Sequence, residues 1–155
     1  MTGFFNGDNQ LSAVTGLPAL TTSYTTITQV SSSPVVITAS TGALASANYD
    51  FSFVSGSINI NRKALTITAQ SRSKCFGDTG SFLGTEFTAT GLINSDTVTS
   101  VTLISSGIDP GADPVTYPII PSAAAGSGLN NYNINYINGT YTVNALPTTG
   151  SIIID

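Results

Sequence analysis

The chain has 155 residues, of which only 8% are charged, and four Lys and Arg residues leave it with a formal net charge of −4. This balance excludes a nucleic-acid reader and a binder of anionic membranes, because both rely on many cations to neutralise phosphates. There is no His, no Trp and one Cys, so the usual catalytic base, a thiolate pair and a soft metal cage are missing. We therefore expect no enzyme activity, no catalytic residue, no cofactor and no metal.

Thr and Ser together supply 43 residues and Asn another 12, so hydroxyl and amide groups must solvate the surface. This composition is typical of secreted bacterial repeat proteins and points to an extracellular location. No stretch approaches the roughly 20 apolar residues of a transmembrane helix, and the N-terminus lacks the layout of a signal peptide. We expect no membrane insertion and a chain that is mature or excised from a longer precursor.

An internal repeat organises the sequence. Residues 48–61 (NYDFSFVSGSININ) match residues 131–144 (NYNINYINGTYTVN) at an offset of 83 positions. Residues 3–8 (GFFNGD) match residues 91–96 (GLINSD) at an offset of 88. The two matches keep their order, so most of one unit recurs with a change in loop length between them.

Three segments follow from this repeat. Residues 1–61 are predicted to be a partial unit and residues 62–144 a complete one. Residues 145–155 are predicted to be a linker and the first strand of a following unit. The partial unit has no counterpart to residues 64–90.

The elements, in chain order, all favour β-structure. In the first copy of the repeated ending, a Ser55-Gly56 turn would place Phe53 opposite Ile58 and Phe51 opposite Ile60 in a hairpin. The next three predicted strands lie around Leu65–Ala69, Phe87–Thr90 and Val98–Ile104, which alternate apolar and polar residues or are rich in β-branched ones. Ala123-Ala124-Ala125 favours at most a short helical turn.

The second copy of the ending predicts a tighter hairpin. Asn-Gly is the preferred pair for a two-residue type I′ turn, so Asn138-Gly139 would place Tyr136 opposite Tyr141 and Ile134 opposite Val143. All four side chains would share one inward face, where each fully buried group contributes about 1.5–3 kcal/mol. The expected architecture is all-β, with small β-sandwich-like units in tandem; a compact β-grasp-like unit carrying one short helix is the alternative.

Five short motifs follow one another through residues 62–144. They are Ala64–Ala69, Lys74–Asp78, Gly91-Leu92 with Asn94–Thr97, Thr116–Ile119, and Asn131-Tyr132 with Asn138–Val143. In this order they resemble the MBG-type (YGX-type) repeat of large bacterial surface proteins, and the second half of the pattern recurs in residues 3–61. Phe76 departs from the family pattern, which usually has Tyr there. The resemblance implies a tandem module of adhesins, including very long filamentous ones, and implies no catalytic residue.

The basic residues Arg62, Lys63, Arg72 and Lys74 all lie at the start of the complete unit. We expect them along one sheet edge, where cations discourage pairing with other sheets; a binding patch is the alternative. Cys75 is predicted to be a small buried hydrophobe rather than a reactive thiol.

Two further motifs are ambiguous between ordinary turns and sites. Asp109 and Asp113 could offer oxygen atoms to Ca²⁺, but two acids in a turn are the preferred interpretation. Asn138-Gly139-Thr140 matches a glycosylation sequon, and the turn is again preferred.

Four tyrosines could form an aromatic platform for sugar rings. They are Tyr117, Tyr132, Tyr136 and Tyr141. We expect core and hairpin packing instead, because Tyr136 and Tyr141 alternate with the polar positions of their predicted strands.

Leu146–Gly150 fits the LPxTG pattern read by sortases, but no long apolar span follows it, so a linker and first strand are preferred. The apolar segment Gly150–Ile154 supports a further hypothesis, in which the tail of one copy completes the sheet of the next copy's leading unit.

The function predicted from these features is structural. We expect a stalk or spacer repeat of a bacterial cell-surface adhesin or filament, located outside the cell, whose partners are neighbouring repeat units. The alternative is a carbohydrate-binding module of a secreted protein, with surface glycans as its partners. Neither involves nucleic acid.

Overall fold

The computed structural model describes residues 2–147. The chain divides into two compact units, Met1–Asn61 and Arg62–Asp155, which we call unit 1 and unit 2. Strands are the main regular secondary structure of both units, so the predicted all-β class is confirmed. In the described part of the chain, no helix has the length and apolar character that crossing a membrane requires.

Unit 1 is a single antiparallel sheet with one short helix. Its elements are α1 (Gln10–Ala13), β1 (Ala19–Thr22), a 3₁₀ turn (Val30–Ser32), β2 (Val35–Ser40) and β3 (Gly56–Ile58). The strand order is β1-β2-β3. Asn9 caps α1, because its side chain accepts the backbone N–H groups of Leu11 and Ser12. Among residues 2–61, only Val35 and Leu44 are buried hydrophobic residues, so this unit has little closed core.

Unit 2 contains seven strands in two sheets. The strands are β4 (Lys63–Ala69), β5 (Arg72–Cys75), β6 (Phe87–Thr90), β7 (Thr97–Ile104), β8 (Thr116–Ser127), β9 (Tyr132–Ile137) and β10 (Gly139–Asn144). One sheet has the order β5-β10-β8-β7 and the other the order β6-β4-β9. Both contribute to one hydrophobic core, so unit 2 is a small β-sandwich.

The core of unit 2 follows the period-two alternation of its strands. On β4, Leu65, Ile67 and Ala69 are buried, and the intervening Thr66 and Thr68 are half-buried. The opposing sheet contributes the buried residues Val101, Leu103, Ile119, Tyr141 and Val143. The predicted inward positions of β4 are therefore confirmed.

Each sheet of unit 2 contains one parallel strand pair. β4 pairs with β9 in parallel in one sheet, and β5 pairs with β10 in parallel in the other. The chain crosses from one sheet to the other between β4 and β5, and crosses again between β9 and β10. The crossings lie side by side, since the Ser71 hydroxyl accepts the Thr140 backbone N–H at 3.1 Å.

The predicted Asn138-Gly139 hairpin is therefore wrong. A type I′ turn needs positive φ at both central residues, and neither residue is among the positive-φ positions of the described chain. β9 and β10 belong to different sheets, and an ideal Cβ on Gly139 would lie 2.6 Å from the Ala69 carbonyl oxygen. Gly139 is needed for this close backbone approach rather than for a turn. Ile134, Tyr136, Tyr141 and Val143 still contribute to the core as predicted, but from opposite sheets.

The first predicted hairpin is also wrong. Residues 51–55 lie in no strand, and β3 pairs with β2, so that Val35 lies opposite Ile58. Within residues 2–61 the described strands form one sheet, and Phe51 and Phe53 lie outside it; the centroids of their two rings are 6.5 Å apart.

The alternative β-grasp topology is wrong as well. Among residues 62–147, the only helical segments are the 3₁₀ turns Ser106–Ile108 and Leu129–Asn131. Ala123–Ala125 continues β8, where a shift in the pairing with β7 accommodates the positive φ of 48° at Ala123.

Replacing Gly139 with Asn distinguishes the sheet crossing from a hairpin turn. A type I′ turn accommodates Asn readily, whereas the crossing brings any Cβ against the Ala69 carbonyl. We expect Gly139→Asn to lower the free energy of unfolding by about 2–3 kcal/mol, the cost of overpacking a closed site. Urea denaturation measures this, and a loss below about 0.5 kcal/mol would support the turn.

Candidate interaction surface

Both units contain the same tight turn at residues 5–8 and 93–96. The central residues have φ values of 53° at Asn6, 79° at Gly7, 55° at Asn94 and 64° at Ser95. In each turn the backbone N–H of the fourth residue donates to the carbonyl of the first, at 3.0 Å in unit 1 and 2.9 Å in unit 2. Positive φ at both central residues is the pattern of a type I′ turn, and both turns occur where the sequence repeats at an offset of 88.

A buried tyrosine holds this turn in unit 2. The Tyr132 hydroxyl donates to Asp96 Oδ2 at 2.8 Å and accepts the Ile93 backbone N–H at 2.9 Å. Burial raises the pKa of the Tyr132 phenol, and the charge of Asp96 shifts it in the same direction. The phenol therefore remains a hydrogen-bond donor throughout the neutral range.

Unit 1 repeats these bonds atom for atom. The Tyr49 hydroxyl donates to Asp8 Oδ2 at 2.9 Å and accepts the Phe5 backbone N–H at 3.1 Å. The two sequence matches found at different offsets are thus the two halves of one interaction. Unit 1 and unit 2 share this turn, its tyrosine, and a sheet in which β1-β2-β3 corresponds to β7-β8-β10.

Glu86 is a buried ionic centre that the sequence analysis did not identify. Its carboxylate accepts the backbone N–H groups of Leu83, Gly84 and Thr85 at 3.0–3.1 Å, and forms a 2.8 Å ion pair with Arg72. Burial alone raises the pKa of this carboxyl, but these hydrogen bonds together hold it below its ordinary value. The available signal was that Glu86 is the single Glu of the chain and follows Gly84 closely.

Unit 1 contains an open groove of about 590 Å³ whose lining is mixed, with polar and apolar side chains. Its walls include Phe4, Val14, Leu44, Tyr49, Asp50, Phe51 and Phe53. Leu44 forms its buried floor, whereas 37% of Phe53 and 91% of Val54 are exposed. At the 83-residue offset, the lining residues Phe51 and Phe53 correspond to Ile134 and Tyr136, which pack against the core of unit 2.

The backbone segment beside the groove also lacks a strand partner. Residues 49–54 correspond to β9 at the 83-residue offset, yet they belong to no strand. In unit 2, β9 is held by its parallel pairing with β4. The described part of unit 1 contains no strand equivalent to β4, so both a strand partner and a core layer are absent there.

A model of the MBG domain (YGX type) matches residues 65–142, just over half of the chain. The chain belongs to the MBG family. The match begins in β4 and ends in β10, so one MBG domain is the two-sheet sandwich of unit 2. No curated protein and no solved structure gave a significant match. The MBG domain is a non-catalytic repeat domain of surface proteins.

The basic residues of the MBG domain do not share one edge, which corrects the sequence prediction. Arg62 and Lys63 lie at the start of β4, the central strand of its sheet, whereas Arg72 and Lys74 lie on the edge strand β5. Lys74 points inward, where its Nζ donates to the carbonyl oxygens of Asp78 and Asp109.

Cys75 is exposed rather than buried, so this prediction is wrong. Alternation along β5 explains the difference: Lys74 takes the inward position because two carbonyls satisfy its ammonium group, and its neighbour must then face solvent.

Asp109 and Asp113, the predicted turn acids of the MBG domain, take part in local hydrogen bonds. Asp109 Oδ1 accepts the Gly111 N–H at 2.7 Å, and the Asp113 carbonyl accepts the Tyr117 hydroxyl at 3.2 Å. Within residues 2–147 no group of three or more His, Cys, Asp or Glu side chains could hold a metal ion. Asn138, the sequon residue, lies at the sheet crossing.

The four tyrosines pack into the MBG domain, as predicted. Tyr132 and Tyr141 are buried, and Tyr117 and Tyr136 are half-buried against the core. The Tyr141 ring meets Phe82 edge-on at 5.9 Å, and the Tyr136 hydroxyl accepts the Ala124 N–H at 2.9 Å. The glycan-binding alternative requires these rings to be exposed, whereas they are buried or half-buried in the domain.

The last candidate segments lie largely outside the described residues. Of Leu146–Gly150, only Leu146 and Pro147 are described, and Gly150–Ile154 falls beyond them.

Proposed function

We propose that this chain is a rigid spacer module in the stalk of a bacterial cell-surface adhesin. It works outside the cell, has neighbouring repeat units as its partners, and projects a binding tip away from the surface. Membership of the MBG family supports a surface-protein repeat. The load-bearing function is supported by the way in which the first and last strands of unit 2 are paired.

Force on a stalk enters unit 2 at the start of β4 and leaves it at the end of β10. β4 and β9 are parallel over six register pairs, and β5 and β10 over four. Pulling the two ends apart therefore slides the strands of each pair along one another. In this shear geometry the ladder hydrogen bonds carry the load together, whereas an antiparallel hairpin pulled from its open end loses them one at a time. This pairing is the observation that carries the proposal.

Single-molecule pulling on the full chain tests this function. In a Cys75→Ser background, Arg62→Cys and Ala145→Cys provide handles at the two ends of unit 2. We expect a high unfolding force, because all ladder bonds must rupture together and forced unfolding is governed by the unfolding barrier.

A second handle pair supplies the matched control. Arg62→Cys with Ile93→Cys pulls β4 and its antiparallel neighbour β6 from the same end, since Thr66 pairs with Thr90. We expect a clearly lower unfolding force in this direction. Equal forces for the two handle pairs would contradict the load-bearing function.

A further inference from the structure

We propose that the open groove of unit 1 binds the opening strand of another MBG domain, an extended segment with the pattern of Lys63–Ala69. The inference goes beyond the load-bearing function and does not depend on it. It rests on three observations: the equivalence of the two units, the absence of a strand partner for residues 49–54 beside the groove, and the negative charge of Asp50 in the groove lining.

Unit 2 shows what covers this face when the domain is complete. There β4 pairs in parallel with β9 and places Leu65, Ile67 and Ala69 in the core, where they are 0%, 0% and 3% exposed. Unit 1 has the corresponding sheet, the same tyrosine-held turn, and a groove in place of those side chains. An extended strand with apolar residues at every second position matches both the shape and the period of that space.

The backbone of residues 49–54 provides the second half of the site. A strand added beside it in the register of β4 against β9 would give these residues the ladder that they lack. Strand addition of this kind gains affinity from main-chain hydrogen bonds and specificity from alternate side chains.

The charges around the groove favour this occupant. Residues 1–61 contain Asp8 and Asp50 but no Lys or Arg, and Asp50 lines the groove. The β4 strand begins with Arg62-Lys63, and Lys63 is in register with Tyr132. Since Tyr49 corresponds to Tyr132, an equivalent strand would place its Arg-Lys start beside the Tyr49-Asp50 segment, which carries a negative charge. Residues 148–155 contain no cation and end in Asp155, so they are the less favourable occupant.

Binding of a labelled peptide to the full chain tests the proposal. The peptide has the sequence of residues 62–70, and the matched control peptide carries Leu65→Asn and Ile67→Asn with the same charge. We expect saturable anisotropy for the first peptide only, together with slower amide exchange in residues 49–54. Equal binding of both peptides would reduce the effect to charge attraction and overturn the proposal.

Variants of the chain locate the binding site. Phe53→Asp, in the groove wall, is expected to weaken peptide binding by about tenfold or more. Ile27→Asp, at a 66% exposed position of the same unit outside the groove, is the matched control and should bind normally. Asp50→Asn, at an exposed residue, is expected to bind about threefold more weakly at low salt and nearly normally at high salt. Binding that is unchanged in both Phe53→Asp and Asp50→Asn would overturn the proposal.

Two other occupants would be recognised in the same experiments. Stronger binding of a peptide of residues 148–155 would assign the groove to the tail of another copy. A dimer in light scattering that Phe53→Asp dissociates, and that the 62–70 peptide does not, would assign it to self-association. Either result would contradict the proposed occupant, while the pulling experiment on unit 2 would be unaffected.

Discussion

Replacing Glu86 with Ala is expected to lower the free energy of unfolding of unit 2 by about 3–5 kcal/mol. The substitution removes the acceptor for three backbone N–H groups in residues 83–85, and the Glu86 side chain is only 4–5% exposed. These hydrogen bonds are part-buried, and donors that lose their acceptor in such a setting cost more than the bond itself contributed, because water replaces the acceptor only in part. Urea denaturation at pH 7 measures the loss.

Arg72→Gln is the matched control for the ion pair. The Arg72 side chain is 49% exposed, so solvent screens its interaction with Glu86. We expect a loss of about 1 kcal/mol or less, as for partly exposed ion pairs. If Arg72→Gln were as damaging as Glu86→Ala, the ion pair rather than the backbone hydrogen bonds would hold this loop.

The contribution of Glu86 is also expected to depend on pH. Its pKa in the folded protein lies below the ordinary value of 4.5, so the folded state favours the charged form. The associated stability is fully present above about pH 4.5 and is lost as the pH falls through the folded pKa. The stability gap between the unsubstituted protein and Glu86→Gln should therefore narrow below pH 4.5. A gap that stays constant through that range would contradict the assignment.

Replacing Tyr132 with Phe is expected to cost about 1.5–3 kcal/mol, the range for a hydrogen bond to a charged group. The change keeps the buried ring but removes the hydroxyl that joins Asp96 to the Ile93 backbone. Thermal and urea denaturation of the full chain measure the loss in unit 2.

Tyr136→Phe provides the comparison within the same unit. Its hydroxyl accepts one neutral N–H bond from Ala124, and its ring is half-buried, so we expect a loss of about 1 kcal/mol. A smaller loss for Tyr132→Phe than for Tyr136→Phe would show that the tyrosine-held turn is not a stabilising feature.

The sequence predicted much of the local structure of unit 2. Alternation identified Leu65, Ile67 and Ala69 as inward residues, because period two follows from strand geometry whatever the partner strand is. The same logic placed Tyr141 and Val143 in the core. Composition and motif order were sufficient to recognise the all-β class and the MBG family.

Strand partners were not predictable in this way. The Asn-Gly pair at residues 138–139 suits a hairpin, because a type I′ turn favours Gly at position 139, but it also suits a crossing between sheets, where a Cβ at position 139 would meet the Ala69 carbonyl. Only the proximity of Ala69, which is distant in sequence, distinguishes the two. The inward position of Lys74 has the same origin, since the carbonyls that satisfy it come from Asp78 and from the distant Asp109.

By itself, the amino-acid sequence determined the strands around Leu65–Ala69, Phe87–Thr90 and Val98–Ile104, the inward face of the first of them, and the recurrence of two sequence segments. The tertiary structure decided which strands pair, that the turn of residues 93–96 is tied to Tyr132, and that unit 1 presents an open groove where unit 2 has β4. The reason is physical. Alternation and turn preference are local properties of the backbone, whereas pairing, burial of charge and completeness of a core depend on groups that are far apart in the chain.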